Sequence, residues 1–273
     1  MEPTHSEGNI ESQSTNDRRP RRSARTRSSV RDVWVGIDFG TSSVRAAFTD
    51  GGQPSEQIPM GETHDVSGGL VTSYRFPTAV WFKGPAEFEL LGHQKASDFS
   101  NIASGVKQSL DANMCQEGGQ GQRFMALCEK YGVDKTAIVC ALFKNTLECI
   151  TMCLDASPGG RRNMARARVN ITVPVVWSVN KRGQEIQDEM ERIAVRAGFP
   201  EDKIYFDTEP GSVLAYLAQK YGCSKRRRRV FLIDVGAGTV DVAGAEVDDA
   251  RVLLVSDPQG CSGGMADGWL ALQ

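Results

Sequence analysis

Two segments of the chain place an aspartate at the end of an apolar run and directly before a glycine turn. The first reads GIDFGTSSV, with its acid at Asp38, and the second reads FLIDVGAGTV, with its acid at Asp234. Glycines in a turn let several backbone N–H groups converge on one phosphate, because no Cβ stands in the way. Nearby hydroxyls add further donors, at Thr41, Ser42, Ser43 and Thr239. A carboxylate before each turn can hold the waters of a bound Mg²⁺ ion, so the pattern predicts two phosphate-binding turns.

The repetition of this pattern is more informative than either turn alone. An isolated D-x-G-T stretch is often an ordinary hairpin, and Gly-Ala-Gly is a weak signal. The GxxxxGK[ST] pattern of a P-loop does not occur in the sequence. Two copies far apart in the chain indicate two similar lobes, each of which presents a hairpin to a shared cleft.

The secondary structure that positions these turns is predicted to begin with strands, continue with alternating strands and helices, and end with strands. Apolar runs predict the strand that leads into Asp234 and seven others. The others lie at Val33–Asp38, Val44–Thr49, Tyr74–Phe82, Arg168–Trp177, Ile204–Phe206, Val240–Val247 and Val252–Val255. Helical periodicity predicts helices at Lys135–Asp155 and Lys181–Ala197, and a third helix that Thr208 can cap. Residues 113–123 read as a Gly/Gln-rich loop. The order indicates an α/β fold with a mixed sheet and helices on both of its faces.

Composition and charge narrow the class of protein. The chain has 273 residues and a net charge of −2, which gives no strong overall attraction to nucleic acid or membrane. It has no run of about 18 apolar residues, its N-terminus is too polar for a secretory signal, and its cysteines read as reduced thiols. We therefore expect a cytoplasmic or nuclear protein, with no membrane partner and no specific nucleic-acid partner.

Residues 1–32 differ from the rest of the chain because they contain almost no apolar side chains. Such a segment cannot bury enough surface to offset its ordering entropy, so it is predicted to be disordered. It carries the Arg-rich stretch RRPRRSARTR, at Arg18–Arg27. This stretch is either a solvated basic tail or a nuclear-localisation or anion-binding patch.

Five ordered segments together resemble the actin-like ATPase superfamily, and within it the 70-kDa heat-shock (DnaK-type) chaperones and their divergent relatives. Besides the two glycine segments, these are RFPTAVWF, the strand–helix segment ITVPVVWSVNKRGQEIQDEMERIAVRAGF, and DTEPGSVLAYLA. The resemblance covers residues 33–264. It implies an actin-like, ribonuclease H-like ATPase fold, with a first lobe over residues 33–222 and the start of a second lobe over residues 223–273.

The resemblance also implies roles for individual residues in binding ATP or ADP with Mg²⁺. Asp38 and Asp234 would hold the water shell of Mg²⁺, Glu209 would orient the attacking water, and Lys107 would touch the γ-phosphate. Glu209 could instead be an acid that stabilises the first turn of its helix, and Lys107 an ordinary surface lysine. Contacts to the β- and γ-phosphates would come from Gly40, Thr41 and Ser42 in one lobe and from Gly236, Gly238 and Thr239 in the other.

In the proteins that this chain resembles, the second lobe continues further and carries an adenosine-binding motif. We therefore expect an incomplete second lobe whose strands expose apolar surface. A fragment, a protein completed by another chain, or a short non-catalytic paralogue would each account for this.

One functional hypothesis is a chaperone-like ATPase with unfolded client proteins and co-chaperones as partners. The alternatives are an interaction protein without turnover and a sugar or small-molecule kinase, although no acceptor site with a catalytic acid is evident in the first lobe.

Overall fold

The structure of the chain is a computed structural model that describes residues 33–50, 55–92, 99–156, 163–178, 180–221, 228–247, 252–254 and 259–262. All of these residues belong to one compact unit. The predicted Arg-rich tail of residues 1–32 lies outside the described residues, and the division into lobes at residues 222 and 223 stays a prediction.

Strands and helices follow each other largely in the predicted order. The strands of the first half are β1 Val33–Phe39, β2 Ser43–Asp50, β3 Glu56–Gln57, β4 Gly61–His64, β5 Leu70–Ser73, β6 Phe76–Pro77, β7 Val80–Gly84, β8 Glu87–Leu90 and β9 Ile102–Ala103. The middle of the chain contains α1 Gln120–Tyr131, α2 Lys135–Asp155, β10 Ala167–Val173, α3 Lys181–Ala197, β11 Ile204–Thr208 and α4 Glu209–Tyr221. The last strands are β12 Arg228–Val235, β13 Thr239–Val247, β14 Val252–Leu254 and β15 Gln259–Ser262.

The first large sheet is mixed, as predicted, and has the strand order β11-β10-β1-β2-β3, with β6 also paired to β2. Strand β1 runs parallel to β10 and antiparallel to β2, and β10 runs parallel to β11. Because side chains alternate between the two faces of a strand, β1 buries Val33, Val35, Ile37 and Phe39 in the core. The alternate residues, including Trp34 and Asp38, therefore lie on the opposite face.

Helices α2 and α3 contribute to the core that packs against the buried face of this sheet. The ring of Phe39 stacks on that of Phe143 in α2, with ring centroids 5.2 Å apart. Both helices have the local signals that fix their ends, because Asp134 and Asn180 cap the N-termini and Gly198 ends α3 in the left-handed conformation. Helix α2 is long and apolar enough to cross a membrane by length and mean hydropathy, criteria that a buried core helix also meets.

The second sheet has the order β12-β13-β14, with β15 also paired to β13. Helix α4 packs on one of its faces, where Leu214 contacts a small cluster with Ala243 and Ala245. Residues of β12 that point to the other side, Phe231 and Ile233, are 77% and 51% exposed. The expected exposure of apolar surface in this part of the chain is therefore present.

Three predicted boundaries were wrong, each for a local reason. The strand predicted at 74–82 is divided into β6 and β7, since Pro77 has no N–H for a continuous ladder. The strand predicted at 168–177 ends at Val173, because Pro174 precedes a short 3₁₀ helix. The loop predicted at 113–123 contains the start of α1 at Gln120, a helix that the glycines around it concealed.

Substitution of Gly183 by alanine should test how α3 is seated. A Cβ at Gly183 would lie 2.1 Å from the carbonyl oxygen of Trp177, in the turn before the helix. We expect Gly183→Ala to lower the free energy of unfolding by about 1–3 kcal/mol, because the overlap is with backbone rather than with a flexible side chain. Urea denaturation measures this change.

The matched control is Gly36→Ala in β1, where an added Cβ would meet no atom within 4 Å. Alanine there should change the free energy of unfolding by less than about 1 kcal/mol. Equal stability of the two variants would contradict the described packing of α3 on Trp177.

Candidate functional site

The two glycine turns contact each other. A Cβ at Gly238 would lie 2.6 Å from Oγ1 and 2.9 Å from Cγ2 of Thr41. Packed atoms do not approach so closely, so the absence of a side chain at Gly238 is what lets the second turn meet the first. The two segments that the sequence singled out therefore share one cleft.

The first turn is closed by a backbone hydrogen bond, and Thr78 donates two further hydrogen bonds to it. The N–H of Gly40 donates to the carbonyl oxygen of Ser43 at 3.1 Å, and a Cβ at Gly40 would lie 2.7 Å from that oxygen. The hydroxyl of Thr78 donates to the Thr41 carbonyl at 2.6 Å, and its N–H donates to the Ser42 carbonyl at 3.1 Å. Engaging these carbonyl oxygens favours an anion at the turn, because free carbonyl oxygens would repel it.

Lys107 and Glu209 form an ion pair at the same cleft, although they are 102 residues apart in the chain. The Lys107 side chain is only 2% exposed and that of Glu209 is 13% exposed. An ammonium group that is removed from water requires a partner charge. The structure thus excludes the alternative that Lys107 is a surface lysine.

The start of α4 fixes the position of Glu209. The Thr208 hydroxyl accepts a hydrogen bond from the N–H of Gly211 at 3.1 Å, which caps the helix as predicted. A side chain at Gly211 would come within 2.6 Å of that hydroxyl oxygen, so glycine is required there. Glu209 is therefore the first helical residue, and β11 together with this cap directs it towards Lys107.

A series of contacts links Lys107 to Trp177, Asp111 and Arg182. Its Nζ lies 5.9 Å from the ring centroid of Trp177, a buried residue. The indole N–H of Trp177 donates to Asp111 Oδ2 at 3.1 Å, and Arg182 Nη2 contacts Asp111 Oδ1 at 2.8 Å. These contacts connect the loop that carries Lys107 to the start of α3 and restrict the position of the lysine.

The cleft contains a cavity of about 550 Å³ that is lined by both glycine turns and by Asp38, Lys107, Glu209 and Asp234. Sequence reasoning missed several further lining residues. These are Arg45 of β2, Thr172 of β10, and Ser212, Val213 and Tyr216 of α4. Val213 is 38% exposed and lines the cavity although it is apolar. Arg45 follows the first glycine turn closely in sequence, and that proximity was the one signal that could have identified it.

The two predicted aspartates lie in an electrostatic environment that favours their neutral form. Burial raises the pKa of Asp38 above 3.8, Glu209 and Asp234 raise it further, and Lys107 and Arg45 oppose the rise. Burial and the Glu209 carboxylate likewise raise the pKa of Asp234. The repulsion between close carboxylates of this kind decreases when a divalent cation binds near them.

The donor set also fits magnesium held through water. Among the described residues, no three His, Cys, Asp or Glu side chains come together as direct metal ligands. Asp38 and Asp234 nevertheless line one cavity with hydroxyls and two glycine turns. Mg²⁺ dehydrates reluctantly and usually keeps several of its waters, so two carboxylates that line one cavity suit an ion held through water.

The structure brings most of the predicted site residues together. Gly40, Thr41, Ser42 and Gly236 line the cavity, and Gly238 contacts Thr41 at its edge. Thr239 is the first residue of β13, and its side chain lies outside the described part of the structure. Asp241 is buried and lies opposite Asp234 in the β12–β13 ladder, in keeping with a structural role.

Substitution of Asp38 by asparagine should stabilise the protein at neutral pH. Because the folded state raises the Asp38 pKa, it holds the proton more tightly than the unfolded chain, and the ionised carboxylate lowers stability above that pKa. We expect Asp38→Asn to raise the urea midpoint at pH 7.5. The gain should shrink as the pH falls through the raised pKa towards 3.8.

The matched control is Asp202→Asn, which changes an exposed acid outside the cavity. Its effect on the urea midpoint should be small at both ends of the pH range. An Asp38→Asn variant that is less stable than the parent protein at pH 7.5 would contradict the described environment of Asp38.

No protein-family model matches the sequence, and no curated protein matches it.

Proposed function

We propose that the chain is a nucleotide-binding protein of the actin-like ATPase type, similar to the heat-shock 70-kDa chaperones. Mg-ATP would bind in the cleft between the glycine turns and be hydrolysed there. Binding and hydrolysis would shift the two hairpins relative to each other, since nucleotide-dependent closure of a cleft is a common conformational switch. Unfolded client proteins and co-chaperones are the partners that this proposal implies.

The strand arrangement supports the finer fold assignment. A hairpin with a glycine turn, β1–β2, is extended on one side by the parallel strands β10 and β11. The second hairpin, β12–β13, repeats the acid-before-glycine turn and brings it into contact with the first. Two such hairpins that face one cleft are what the actin-like fold requires.

The buried Lys107–Glu209 pair is the observation that carries the proposal. Removing the charges of a lysine that is 2% exposed and of its carboxylate partner from water costs free energy, so such a pair often marks a functional site. This pair lines the same cavity as both glycine turns. A phosphate group placed against the turns would lie among hydroxyls, backbone N–H groups, Lys107 and Arg45. This is the composition expected of a triphosphate site.

Each residue would then have a distinct task in phosphoryl transfer, which depends mainly on positioning and charge neutralisation. The turns at Gly40–Ser42 and Gly236–Gly238 would orient the phosphates, and Lys107 would neutralise charge on the transferred group. Glu209 would accept a hydrogen bond from the attacking water and hold it in line. Asp38 and Asp234 would hold Mg²⁺ through its waters, and the ion would supply further charge neutralisation.

A second candidate function is binding without turnover. The exposed apolar side chains of β12 favour it, because Phe231, Ile233 and Val235 are 77%, 51% and 61% exposed on one strand. Contiguous apolar surface of this kind often marks an interaction site. In this case the exposed strand would bind a partner, and nucleotide hydrolysis would be absent.

Calorimetry and a phosphate-release assay on the full chain test the proposal. We expect Mg-ATP to bind and Asp234→Ala to weaken binding at least about tenfold, a loss of about 1.4 kcal/mol. Glu209→Gln should reduce hydrolysis by about 10²–10⁴-fold while binding changes much less, because orienting the water matters in the transition state.

The matched control is Asp202→Ala, an exposed acid outside the cavity, which should leave both binding and hydrolysis unchanged. Thermal melting of each variant checks that the loss of a partner for Lys107 has not unfolded the protein. Mg-ATP binding without hydrolysis in the parent protein would favour the second candidate. Absence of Mg-ATP binding by the folded protein would contradict the first candidate and favour the second.

A further inference from the structure

We propose that a second cavity of this protein binds an extended peptide with alternating apolar and basic side chains, which adds as a β-strand between β4 and β8. We call this cavity the acidic groove. It is formed by residues 60–65, residues 89–92, Phe76 and Asn145, and has a volume of about 890 Å³. None of its lining residues belongs to the cavity at the glycine turns, so the inference does not depend on nucleotide binding.

The walls of the acidic groove are strand edges rather than strand faces. Every residue from Met60 to Asp65 lines the groove, a run that includes the whole of β4. Successive side chains of a strand point to opposite faces, so a cavity lined by all of them lies along the edge of the strand. The same argument applies to β8, because Glu89, Leu90 and the two residues after them all line the groove.

Within the described residues, these two edges have no strand partner. Strand β4 pairs with β5 alone, and β8 pairs with β7 alone. An unpaired edge presents a row of backbone N–H and C=O groups that another extended chain can pair with. Two such edges on either side of one groove offer hydrogen bonds to both sides of an inserted peptide, which is the strand-addition mode of peptide recognition.

The floor and rim of the groove indicate which side chains the peptide carries. The half-buried Phe76, Leu90 and Leu91 supply apolar surface, and among the described residues the buried Nδ2 of Asn145 has no acceptor within hydrogen-bonding distance. A peptide carbonyl would satisfy that donor. Thus the groove offers apolar contacts for alternate side chains and one fixed point for the backbone.

Acidic residues on the rim favour a basic peptide. Glu62 and Asp65 are exposed beside the groove, and the Ser67 hydroxyl and neighbouring N–H groups lower the Asp65 pKa, so this carboxylate is ionised. Glu89 already pairs with Lys83. The remaining negative charge complements lysine or arginine side chains that alternate with apolar ones along an extended chain.

Fluorescence anisotropy with a labelled alternating Val-Lys octapeptide tests this site on the full-length protein. We expect saturable binding to the parent protein and at least about fivefold weaker binding to Glu62→Lys, because the substitution reverses a rim charge. Glu117→Lys is the matched control, since it reverses an exposed acid that does not line the groove, and it should bind like the parent protein. The same peptide with its two central valines replaced by proline should bind at least about fivefold more weakly, because proline cannot donate to a strand edge.

Methyl NMR locates the bound peptide independently of the variants. The Leu90 methyl resonances should shift on titration, while that of Met190, which is buried in α3, should not. The proposal is overturned if the octapeptide does not bind, or if its proline-substituted form binds equally well. It is also overturned if Glu62→Lys binds the octapeptide as tightly as Glu117→Lys does, or if an alternating Val-Glu peptide binds as well as the basic one.

Discussion

The close approach of Gly238 to Thr41 is the constraint on which the arrangement of the candidate site depends. With an added Cβ only 2.6 Å from the threonine hydroxyl oxygen, any side chain at Gly238 would force the turns apart. The contact positions the β12–β13 hairpin against the β1–β2 hairpin. It thereby places Asp38 and Asp234, which are distant in sequence, around one cavity. Burial raises the pKa of both carboxyls, and the Glu209 carboxylate at the same cavity raises both further.

The Lys107–Glu209 pair adds a second constraint on the same cleft. Lys107 is held by Trp177 and, through Asp111, by the start of α3, while Glu209 is held by the cap of α4. The pair therefore joins segments that are 102 residues apart in the chain. A charged pair on well-fixed elements is suited to catalysis, because little reorganisation is needed when charge develops on a substrate. The acidic groove is built differently, from strand edges, and would recognise a peptide mainly through its backbone.

The sequence predicted the elements with strong local signals and missed those that depend on contacts distant in the chain. Helix α3 was predicted with its observed ends because its apolar periodicity is clear and Gly198 follows its last residue. Helix α1 was missed because Gly119 and Gly121 at its start resemble a loop, although the helix is fixed by packing of Phe124 in the core. Two acids before two glycine turns were visible as a repeat. The sequence did not identify the cavity residues Arg45, Thr172 and Tyr216, because only the folded chain brings β2, β10 and α4 together.

The most direct test of the account is a crystal structure of the full chain with magnesium and a non-hydrolysable ATP analogue. The account predicts phosphate oxygens within hydrogen-bonding distance of backbone N–H groups from both glycine turns, with Gly238 still in contact with Thr41. It also predicts Lys107 and Glu209 beside the terminal phosphate. Phosphates bound to one turn alone, or outside the cleft, would contradict the claim that the two turns form a single triphosphate site.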